Sequence, residues 1–535
     1  MTNHKKDLKI VCLLALLVFA AYFNSLNNDF VSDDIAAIAE NPALTSTNYF
    51  AQDHFIFLRP QIISTAVKIF GLNRAALRLL NILFHLGTAL TAYFFIKRLS
   101  GAQAAFFAAI IFAAHPFLSE SVAWISGGTY AQFNFFILLA LLLYAYSLKN
   151  KKFYPVAIGV YLLGLFSTDR AIIFFPLLFL YTAAFRDLGK DWKRLIPFFI
   201  LSCIWGLHLA GSFSPRIEGL MSAGYAGQAM LNPLVQIPVA ITSYLELIFW
   251  PQKLTLYHSE MSFTFTQYIA RGFIFLIFLA VIIFSWRRSR QIFFWLSFFM
   301  LNLLPTLTPF GISWIVAERY GYLASLGIIT AVSLGLGKIS GKKHLKLAVY
   351  IIFPVIIVAL ILRTILRNAD WKNQDHLWLA TAVTSPSCHY NHNNLGDLYS
   401  RRGELSRAVE EFKRAIELAP HYADAHHNLA NTYQQMGEIG NAIKNYQQAI
   451  VYNPSLWQSY QSLAAIYVTR QDLSLAKEYM RKAAQINPKN SYLRANLAVI
   501  LLQAGEREEA GRELEDALRL DPENQFAWQL LQSLP

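Results

Sequence analysis

Two adjacent carboxylates, Asp33 and Asp34, follow an apolar run from Ile10 to Leu26 that is long enough to cross a bilayer. Such a pair is a solvated helix cap if it only ends the helix, and a functional site if it faces a bundle of helices. A carboxylate near a buried surface can have a raised pKa and act as a general base. We therefore take Asp33 and Asp34 as candidate catalytic residues, with the helix cap as the alternative.

Further charged groups lie in loops that we place on the same side of the membrane: Arg59, His115, Glu120, Asp169, Arg170, Glu318 and Arg319. Arginine matches phosphate oxygens with two parallel hydrogen bonds, so arginine beside carboxylate suits a reaction in which a lipid phosphate leaves. Each residue also has a simpler interpretation. Arg59 can reach lipid headgroups, His115 can end a helix, and Glu318 with Arg319 can be an ion pair. Only their joint occurrence favours catalysis.

The sequence predicts no certain cofactor beyond a substrate lipid. Two adjacent aspartates can hold a divalent metal together with water and phosphate, so a metal requirement stays open. The three cysteines, Cys12, Cys203 and Cys388, form neither a disulfide framework nor a pattern of metal ligands. Asn81 and His85 lie on one face of a predicted helix, where a hydrogen bond between helices is the simpler role.

Composition predicts the elements that must position these groups. The chain has 535 residues, of which 55% are hydrophobic and 15% charged, and its mean hydropathy is +0.36. These values indicate a polytopic helical membrane protein. We expect about eleven crossings, near residues 10–26, 76–97, 104–120, 131–148, 153–167, 171–185, 195–212, 269–286, 291–309, 321–337 and 346–366.

The basic excess, a net charge of +13, lies mostly in short loops between these crossings. That distribution indicates how the helices are oriented in the membrane and where lipid headgroups are contacted. It excludes a nucleic-acid-binding surface. It places the N-terminus, read as an uncleaved first helix, inside and the C-terminal part outside. The apolar run Leu231 to Trp250 contains prolines, so we expect it to be embedded without crossing.

The C-terminal part repeats with a period of 34 residues. Prolines at 420, 454, 488 and 522 define four repeats, 389–422, 423–456, 457–490 and 491–524. Small residues at positions twenty and twenty-seven, large ones at seven and eleven, and a turn glycine (Gln471 in the third copy) form the tetratricopeptide pattern. Such helix pairs stack into a superhelix whose concave face usually binds peptide or protein. We expect residues 525–535 to cap it.

The resulting prediction is an all-α chain with a membrane domain, residues 1–370, a linker, residues 371–388, and a tetratricopeptide α-solenoid, residues 389–535. The order of motifs in this chain resembles the TMTC-like protein O-mannosyltransferases, which combine transmembrane helices with tetratricopeptide repeats. The residues that carry the resemblance are Asp33-Asp34, Asn41-Pro42, Arg59-Pro60, Asn81, His85, His115-Pro116, Glu120-Ser121-Val122, Trp124-Ile125, Pro251, Leu254, Tyr257, Glu318-Arg319-Tyr320 and Tyr322.

The resemblance implies a GT-C glycosyltransferase fold and transfer of a sugar, mannose in that family, from a polyprenyl phosphate to a protein hydroxyl at the outer membrane face. It implies that Asp33 and Asp34 are catalytic and that the other charged groups bind the donor phosphate or line its pocket. Two departures stand out. Thr168-Asp169-Arg170 replaces a Lys-Glu common in the family, and residues 212–230 match no part of it.

Two other functions remain open at this point. The sugar acceptor is a lipid or a surface polysaccharide in one, and the chain is a membrane scaffold that displays its repeats in the other. A transporter is disfavoured because no internal repeat relates two halves of the membrane part. The expected partners are a polyprenyl-phosphate sugar, a protein or peptide acceptor and membrane lipids. The expected location is a bacterial inner membrane with the repeats in the periplasm.

Overall fold

The computed structural model describes residues 2–45, 48–211, 232–307 and 315–534. All regular elements in these ranges are helices, which confirms the all-α prediction. The described chain divides into two compact units, of which the first ends at Ser385 and the second begins at Pro386. The first is the membrane unit and the second is the repeat unit.

Six helices of the membrane unit are long and apolar enough to cross a bilayer: Lys5–Asn27, Arg74–Ser100, Gly128–Ser147, Phe265–Arg288, Glu318–Ser340 and Lys343–Asp370. Two further segments pass the same test only as bent pairs. Ala102–Ala114 meets Pro116–Ala123 at 56°, and Leu188–Arg194 meets Ile196–Gly211 at 57°. By length and composition the described residues therefore provide six to eight spans.

All of the predicted crossings coincide with helices, but three of them are short. These are Phe153–Ser167, Phe174–Phe185 and Arg290–Leu303. At 1.5 Å per residue they are roughly 18 to 23 Å long, which is less than the roughly 30 Å of a hydrocarbon core. Within the described ranges, the number of full-length spans is therefore smaller than the eleven apolar runs of the sequence.

The run that we expected to be embedded forms the helix Pro233–Phe249, with Pro238 inside it. Its 17 residues make it one of the shorter apolar helices. That it lies in the membrane without crossing stays a prediction. The segment 212–230, which matched no part of the family, lies outside the described residues.

Burial separates the helices that build the centre from those that face lipid. In the apolar windows of Arg74–Ser100, Gly128–Ser147 and Glu318–Ser340, 56 to 67% of the residues are buried inside the protein. In Phe265–Arg288 and Lys343–Asp370 the share is only 6% and 11%. The first group forms the core of the membrane unit. The apolar side chains of the second group are mostly exposed on the protein and can contact lipid.

The repeat unit has the four helix pairs that the period of 34 predicts: His389–Arg401 with Leu405–Leu418, Ala423–Gln435 with Ile439–Tyr452, Trp457–Thr469 with Leu473–Ile486, and Ser491–Gln503 with Arg507–Leu520. The alanines at positions twenty and twenty-seven are fully buried in every repeat. The turn residues have positive φ, +76° at Gly403 and +60° at Gln471, a conformation that glycine adopts without strain. A final helix, Gln525–Gln532, packs on the last pair.

The segment predicted as a linker is largely helical. Residues Gln374–Thr384 form a helix, and the first compact unit extends to Ser385. Trp371, which precedes this helix, is fully buried. The membrane unit thus includes most of this segment.

Candidate active site

The two adjacent aspartates have different surroundings. Asp34 is fully buried, and its Oδ1 accepts hydrogen bonds from the backbone N–H of Ser126, at 2.8 Å, and from the Ser126 hydroxyl. Asp33 is exposed. Ser32, directly before the pair, has a φ of +53°, a strained conformation for a residue with a side chain. The turn therefore holds one carboxylate in the protein and turns the other outward.

Burial raises the pKa of the Asp34 carboxyl above its ordinary value. The hydrogen bonds from Ser126, the charge of Arg78 and a hydrogen bond from Val31 act in the opposite direction and favour the ionised form. Asp34 in turn supports the positive charge of both Arg59 and Arg78. The carboxylate is thus the anionic centre of a small buried cluster.

Arg59 lies in this cluster and is 6% exposed. Its Nη2 donates to Asn81 Oδ1 and to the Ile125 carbonyl, both at 2.7 Å, and its Nη1 donates to Gln132 Oε1 at 3.3 Å. Burial lowers the pKa of Arg59 to about 10, so the group is still cationic at neutral pH. Since its terminal nitrogens bond to the protein, Arg59 holds the segment around residue 125 in place.

The helix Arg74–Ser100 joins the aspartate turn to the segment 122–126. Arg78 donates from Nε to the Ala123 carbonyl at 2.9 Å and from its terminal nitrogens to the carbonyls of Asn28 and Asp29. Asn81 Nδ2 donates to the Trp124 carbonyl at 2.9 Å. Two side chains, one turn apart on a single helix, therefore fix two loops that are far apart in sequence.

Two glycines, Gly127 and Gly128, permit the close approach of neighbouring chain segments. A Cβ on Gly128 would overlap the side chain of Asn81, and one on Gly127 would overlap the Glu120 carbonyl. Both positions therefore require glycine because a neighbouring chain passes too near for any side chain.

A second charged group lies beside Trp124. Glu120 is fully buried and accepts hydrogen bonds from the Arg319 backbone N–H, at 2.7 Å, and from Arg319 Nη1. The Arg319 guanidinium lies 4.9 Å from the centre of the Tyr320 ring and 5.8 Å from that of Trp124. A buried carboxylate and two aromatic faces thus orient Arg319.

Arg170 approaches the same tyrosine. Its guanidinium lies 4.5 Å from the centre of the Tyr320 ring, and its Nη1 donates to the Tyr130 hydroxyl at 2.7 Å. These three residues line a small, partly enclosed cavity together with Asn134, Asn302 and Thr306. The neighbouring Asp169 is half-buried and accepts a hydrogen bond from Thr168 at 3.2 Å. Two arginines therefore share one aromatic ring, an arrangement that can bind an anion.

Glu318 pairs with a residue that sequence reasoning missed. It is fully buried, accepts from Arg367 Nη2 at 3.1 Å and from the Thr255 N–H at 2.6 Å, and lies 3.7 Å from His258. Arg367 also bonds to Asp370 at 2.8 Å. From the sequence alone, Arg367 is interpreted as a charged residue at the end of an apolar, membrane-spanning segment. Glu318 and Arg319 are therefore not an ion pair with each other, since each pairs elsewhere.

The two candidate histidines, His115 and His85, form hydrogen bonds inside the helix bundle. His115 Nδ1 accepts from the Phe117 N–H at 3.2 Å, and its Nε2 donates to the Ile248 carbonyl at 2.9 Å. His85 bonds through Nδ1 to the Tyr322 hydroxyl at 2.8 Å. Because these ring nitrogens are engaged, the simpler interpretation of each, a hydrogen-bonded residue inside the helix bundle, fits the geometry.

Trp124 and Ser126 connect the two charged groups. Trp124 donates from its ring N–H to the Val31 carbonyl at 3.3 Å and stacks on Trp371 at 5.5 Å. Asp34 binds Ser126, and Arg319 lies over Trp124. Segment 124–126 therefore borders both Asp34 and Arg319. Among the described residues, no group of three or more His, Cys, Asp or Glu side chains is placed to hold a metal ion.

Comparison with known proteins matches the repeat unit to family models and finds relatives that also cover much of the remaining chain. Family models described as TPR repeat and tetratricopeptide repeat match residues 396–437, 423–456 and 467–534. Protein O-mannosyl-transferase TMTC3 of Mus musculus is 24% identical over 497 residues, which cover 77% of this chain and 51% of the relative. TMTC3 of Homo sapiens is also 24% identical, with coverage of 77% and 52%. Over 77% of its length the chain is similar to TMTC protein O-mannosyl-transferases.

The TMTC-like chain spans about half the length of these TMTC3 relatives. Protein O-mannosyl-transferase Tmtc2 of Drosophila melanogaster is 32% identical, but over only 131 residues, or 24% of this chain and 14% of the relative. The match to the TMTC3 relatives is long enough to reach beyond the repeats into the membrane unit.

Two solved structures of repeat proteins align with smaller parts of this TMTC-like chain. The crystal structure of MamA is 22% identical and covers 28% of this chain and 87% of its own, with a TM-score of 0.26. YrrB, described as a TPR protein with an unusual peptide-binding site, is 15% identical and covers 34% and 91%, also with a TM-score of 0.26.

Proposed function

We propose that this TMTC-like chain is an integral-membrane glycosyltransferase of GT-C type. It transfers a sugar, mannose by analogy with the names of its relatives, from a polyprenyl-phosphate donor to a protein hydroxyl on the outer face of the membrane. The observation that carries the proposal is that segment 124–126 borders both Asp34 and Arg319, and that Arg319 shares the Tyr320 ring with Arg170. A base and a phosphate-binding group then lie beside the same short stretch of chain.

In the proposed reaction the acceptor oxygen forms a bond to C1 of the sugar while the bond between C1 and the phosphate oxygen breaks. Asp33, the exposed carboxylate, takes the proton from the acceptor hydroxyl. Arg319 and Arg170 stabilise the charge that remains on the departing polyprenyl phosphate. Asp34 and Arg59 position segment 124–126, and Glu120 positions Arg319.

The remaining predicted site residues support this arrangement from further away. His115 ties the bent helix pair to the Ile248 carbonyl, and Glu318 anchors the chain directly before Arg319 to Arg367. Asp169 lies next to Arg170 but bonds only to Thr168 in the described part of the chain. We assign positioning roles to His115 and Glu318.

The test uses purified full-length protein in lipid nanodiscs and measures transfer of labelled sugar to a protein acceptor. Asp33→Asn should reduce transfer at least about 100-fold, since general-base catalysis contributes about 10² or more. Asp34→Asn should also reduce transfer, because it weakens the hydrogen bonds that hold segment 124–126. The matched control is Glu40→Gln, an exposed carboxylate at the end of the short helix Ile35–Ala39 that follows the aspartates, which should retain activity. Full transfer by both aspartate variants would show that the site assignment is wrong.

The proposed location is a bacterial inner membrane with the repeat unit in the periplasm. Basic residues concentrate in alternate short loops, which is the distribution that orients membrane helices. Protease added to intact spheroplasts should remove the repeat unit. Its protection until the membrane is lysed would place it on the cytoplasmic side instead.

A further inference from the structure

Arg271 is a charged residue on a helix that is almost wholly exposed to lipid. Its helix is Phe265–Arg288, whose apolar window is only 6% buried in the protein. Residues 272–286 carry no charge, and the basic pair Arg287-Arg288 follows them. At 1.5 Å per residue this uncharged stretch is roughly 23 Å long, which is most of a hydrocarbon core of roughly 30 Å. Arg271 therefore lies at one boundary of the hydrocarbon core, with the basic pair at the other.

The Arg271 side chain bonds to the neighbouring helix, Pro233–Phe249. Its Nη1 donates to the hydroxyl of Thr242, at 2.8 Å, and to that of Ser243, at 3.2 Å, and both of these residues are buried. Its Nη2 donates to Glu246 Oε2 at 3.0 Å. We call Arg271 and Glu246 the boundary pair. Two buried hydroxyls thus hold the guanidinium in a fixed position beside the carboxylate.

The boundary pair keeps hydrogen-bonding groups of both signs that the protein does not use. A guanidinium has five N–H donors, and the contacts within the described chain use three of them. The Glu246 carboxylate accepts one bond, at Oε2, from the residues that the structure describes, and its side chain is 54% exposed. The Phe263 ring, 4.1 Å from the guanidinium, covers one face of it. A ligand that carries both an anion and a cationic N–H donor would satisfy both partners.

Exposed apolar side chains continue from Arg271 toward the middle of the membrane. Ile274 lies three residues further along, on the same side of the helix, and is 48% exposed. Val281 lies two turns beyond Ile274 and is 45% exposed. A molecule on this surface meets charges at one end and apolar side chains at the other, which is the arrangement of groups in a phospholipid.

We propose that the boundary pair binds the headgroup of a zwitterionic phospholipid with a primary ammonium group, phosphatidylethanolamine. The remaining N–H groups of Arg271 donate to the lipid phosphate, and Glu246 accepts hydrogen bonds from the ammonium. The short linker between phosphate and ammonium suits two side chains that are already in contact. The acyl chains lie along Ile274 and Val281. Binding requires no sugar transfer, so this site is independent of the proposed function.

Other lipids satisfy the boundary pair less completely. Phosphatidylcholine has the same phosphate, but its quaternary ammonium has no N–H to donate to Glu246. Phosphatidylglycerol and a polyprenyl phosphate have no cation at all, and the Glu246 carboxylate repels their negative charge. A phosphate joined to a primary ammonium is therefore the headgroup that fits both members of the pair.

The experiment is native mass spectrometry of the purified full-length protein in detergent, titrated with phospholipids that have identical acyl chains. Phosphatidylethanolamine should bind at least about tenfold more tightly than phosphatidylcholine, because it adds charge-assisted hydrogen bonds to Glu246. Its N-methyl and N,N-dimethyl derivatives should fall between the two in that order, since each methyl group replaces one N–H donor. This series tests the site without any change to the protein.

Variants of the boundary pair test the same contacts from the side of the protein. Glu246→Gln removes the charge that attracts the ammonium, so the affinities for the two lipids should come within about twofold of each other. Arg271→Lys loses the planar fork and should weaken both lipids alike, by at least about threefold. The matched control is Glu260→Gln, an exposed carboxylate in the loop that joins the same two helices, which should keep the full preference.

Equal affinity of the parent protein for phosphatidylethanolamine and phosphatidylcholine would overturn the proposal, as would an unchanged preference in Glu246→Gln. Tighter binding of phosphatidylglycerol would identify a site for anionic lipid, and displacement by polyprenyl phosphate at lower concentration would identify a site for the sugar donor. Either result contradicts the assignment. Competition by soluble phosphoethanolamine at the same concentration as the lipid would show that the acyl chains contribute nothing, which contradicts a lipid site.

Discussion

Asp33 and Asp34 are neighbours in the chain, yet only Asp34 is enclosed by the protein. The sequence shows two identical residues, and no periodicity or spacing distinguishes them. Their difference comes from Ser126, which is 92 residues away and binds only one of them. Contacts of this kind depend on tertiary packing, so the carboxylate pair was predictable as a candidate while the division of roles was not.

The Ser126 hydroxyl is expected to control how the rate of sugar transfer depends on pH in the acidic range. Its hydrogen bond lowers the pKa of Asp34, so Ser126→Ala should raise that pKa further. If catalysis needs ionised Asp34, activity rises as pH increases through this pKa, and the acid limb of kcat/KM should move to higher pH.

The control for this measurement is Ser121→Ala, which removes a buried hydroxyl that has no hydrogen-bond partner in the described structure. Its pH profile should match that of the parent protein. An unchanged acid limb in Ser126→Ala would show that ionisation of Asp34 does not govern the rate.

At the scale of elements, the site depends on how closely segment 122–128 approaches the helix Arg74–Ser100. Gly128→Ala places a methyl group on the Asn81 side chain and should break the contacts from Arg59 and Asn81 to this segment. We expect a loss of about 1 to 3 kcal/mol in stability, as for overpacking elsewhere, and a fall in transfer activity. Thermal unfolding and the transfer assay measure the two effects.

Gly159→Ala is the matched control, since its added methyl group meets no atom within 4 Å and the residue is helical. It should be neutral or slightly stabilising because alanine favours helix. Equal behaviour of the two variants would exclude close packing at Gly128 as a requirement of the site.

The pair Glu318–Arg367 links the end of the helix Lys343–Asp370 to the chain beside Arg319. Arg367→Met should cost about 3 to 5 kcal/mol because it leaves the Glu318 carboxylate buried without its partner. Adding Glu318→Gln should recover part of the loss, which a double-mutant cycle measures as a coupling energy.

Arg363→Met, one turn earlier, is the control for the loss of a charge. Arg363 bonds to the carbonyls of Pro251 and Gln252 and is partly exposed, so its replacement should cost less. Strictly additive effects of Glu318→Gln and Arg367→Met would contradict the pairing.

For the whole molecule, the sequence predicts the repeat unit far better than the membrane unit. A period of 34 residues gives the helix pairs, the buried alanines and even the turn at Gln471, because each repeat contacts mainly its neighbours. In the membrane unit the decisive contacts join distant residues, such as Asn28 with Asn368. Apolar runs predict where helices lie but not which of them are bent or too short to span.

Deletion of residues 387–535 tests which functions belong to the membrane unit and which to the repeat unit. The first compact unit ends at Ser385, so the truncated protein retains all of the proposed catalytic residues. Transfer to protein should be lost, while transfer to a small soluble hydroxyl acceptor should persist. Full transfer to a lipid or polysaccharide by the truncated chain would favour that acceptor class instead.

The most direct measurement is a cell-free transfer assay with purified parent protein and Asp34→Asn. Each receives a panel of labelled polyprenyl-phosphate sugars and a membrane-free protein extract. We predict that label moves into protein from the mannose donor with the parent protein, and not with the variant. No transfer from any donor by folded parent protein would contradict the enzymatic account and leave a membrane-anchored scaffold as the function.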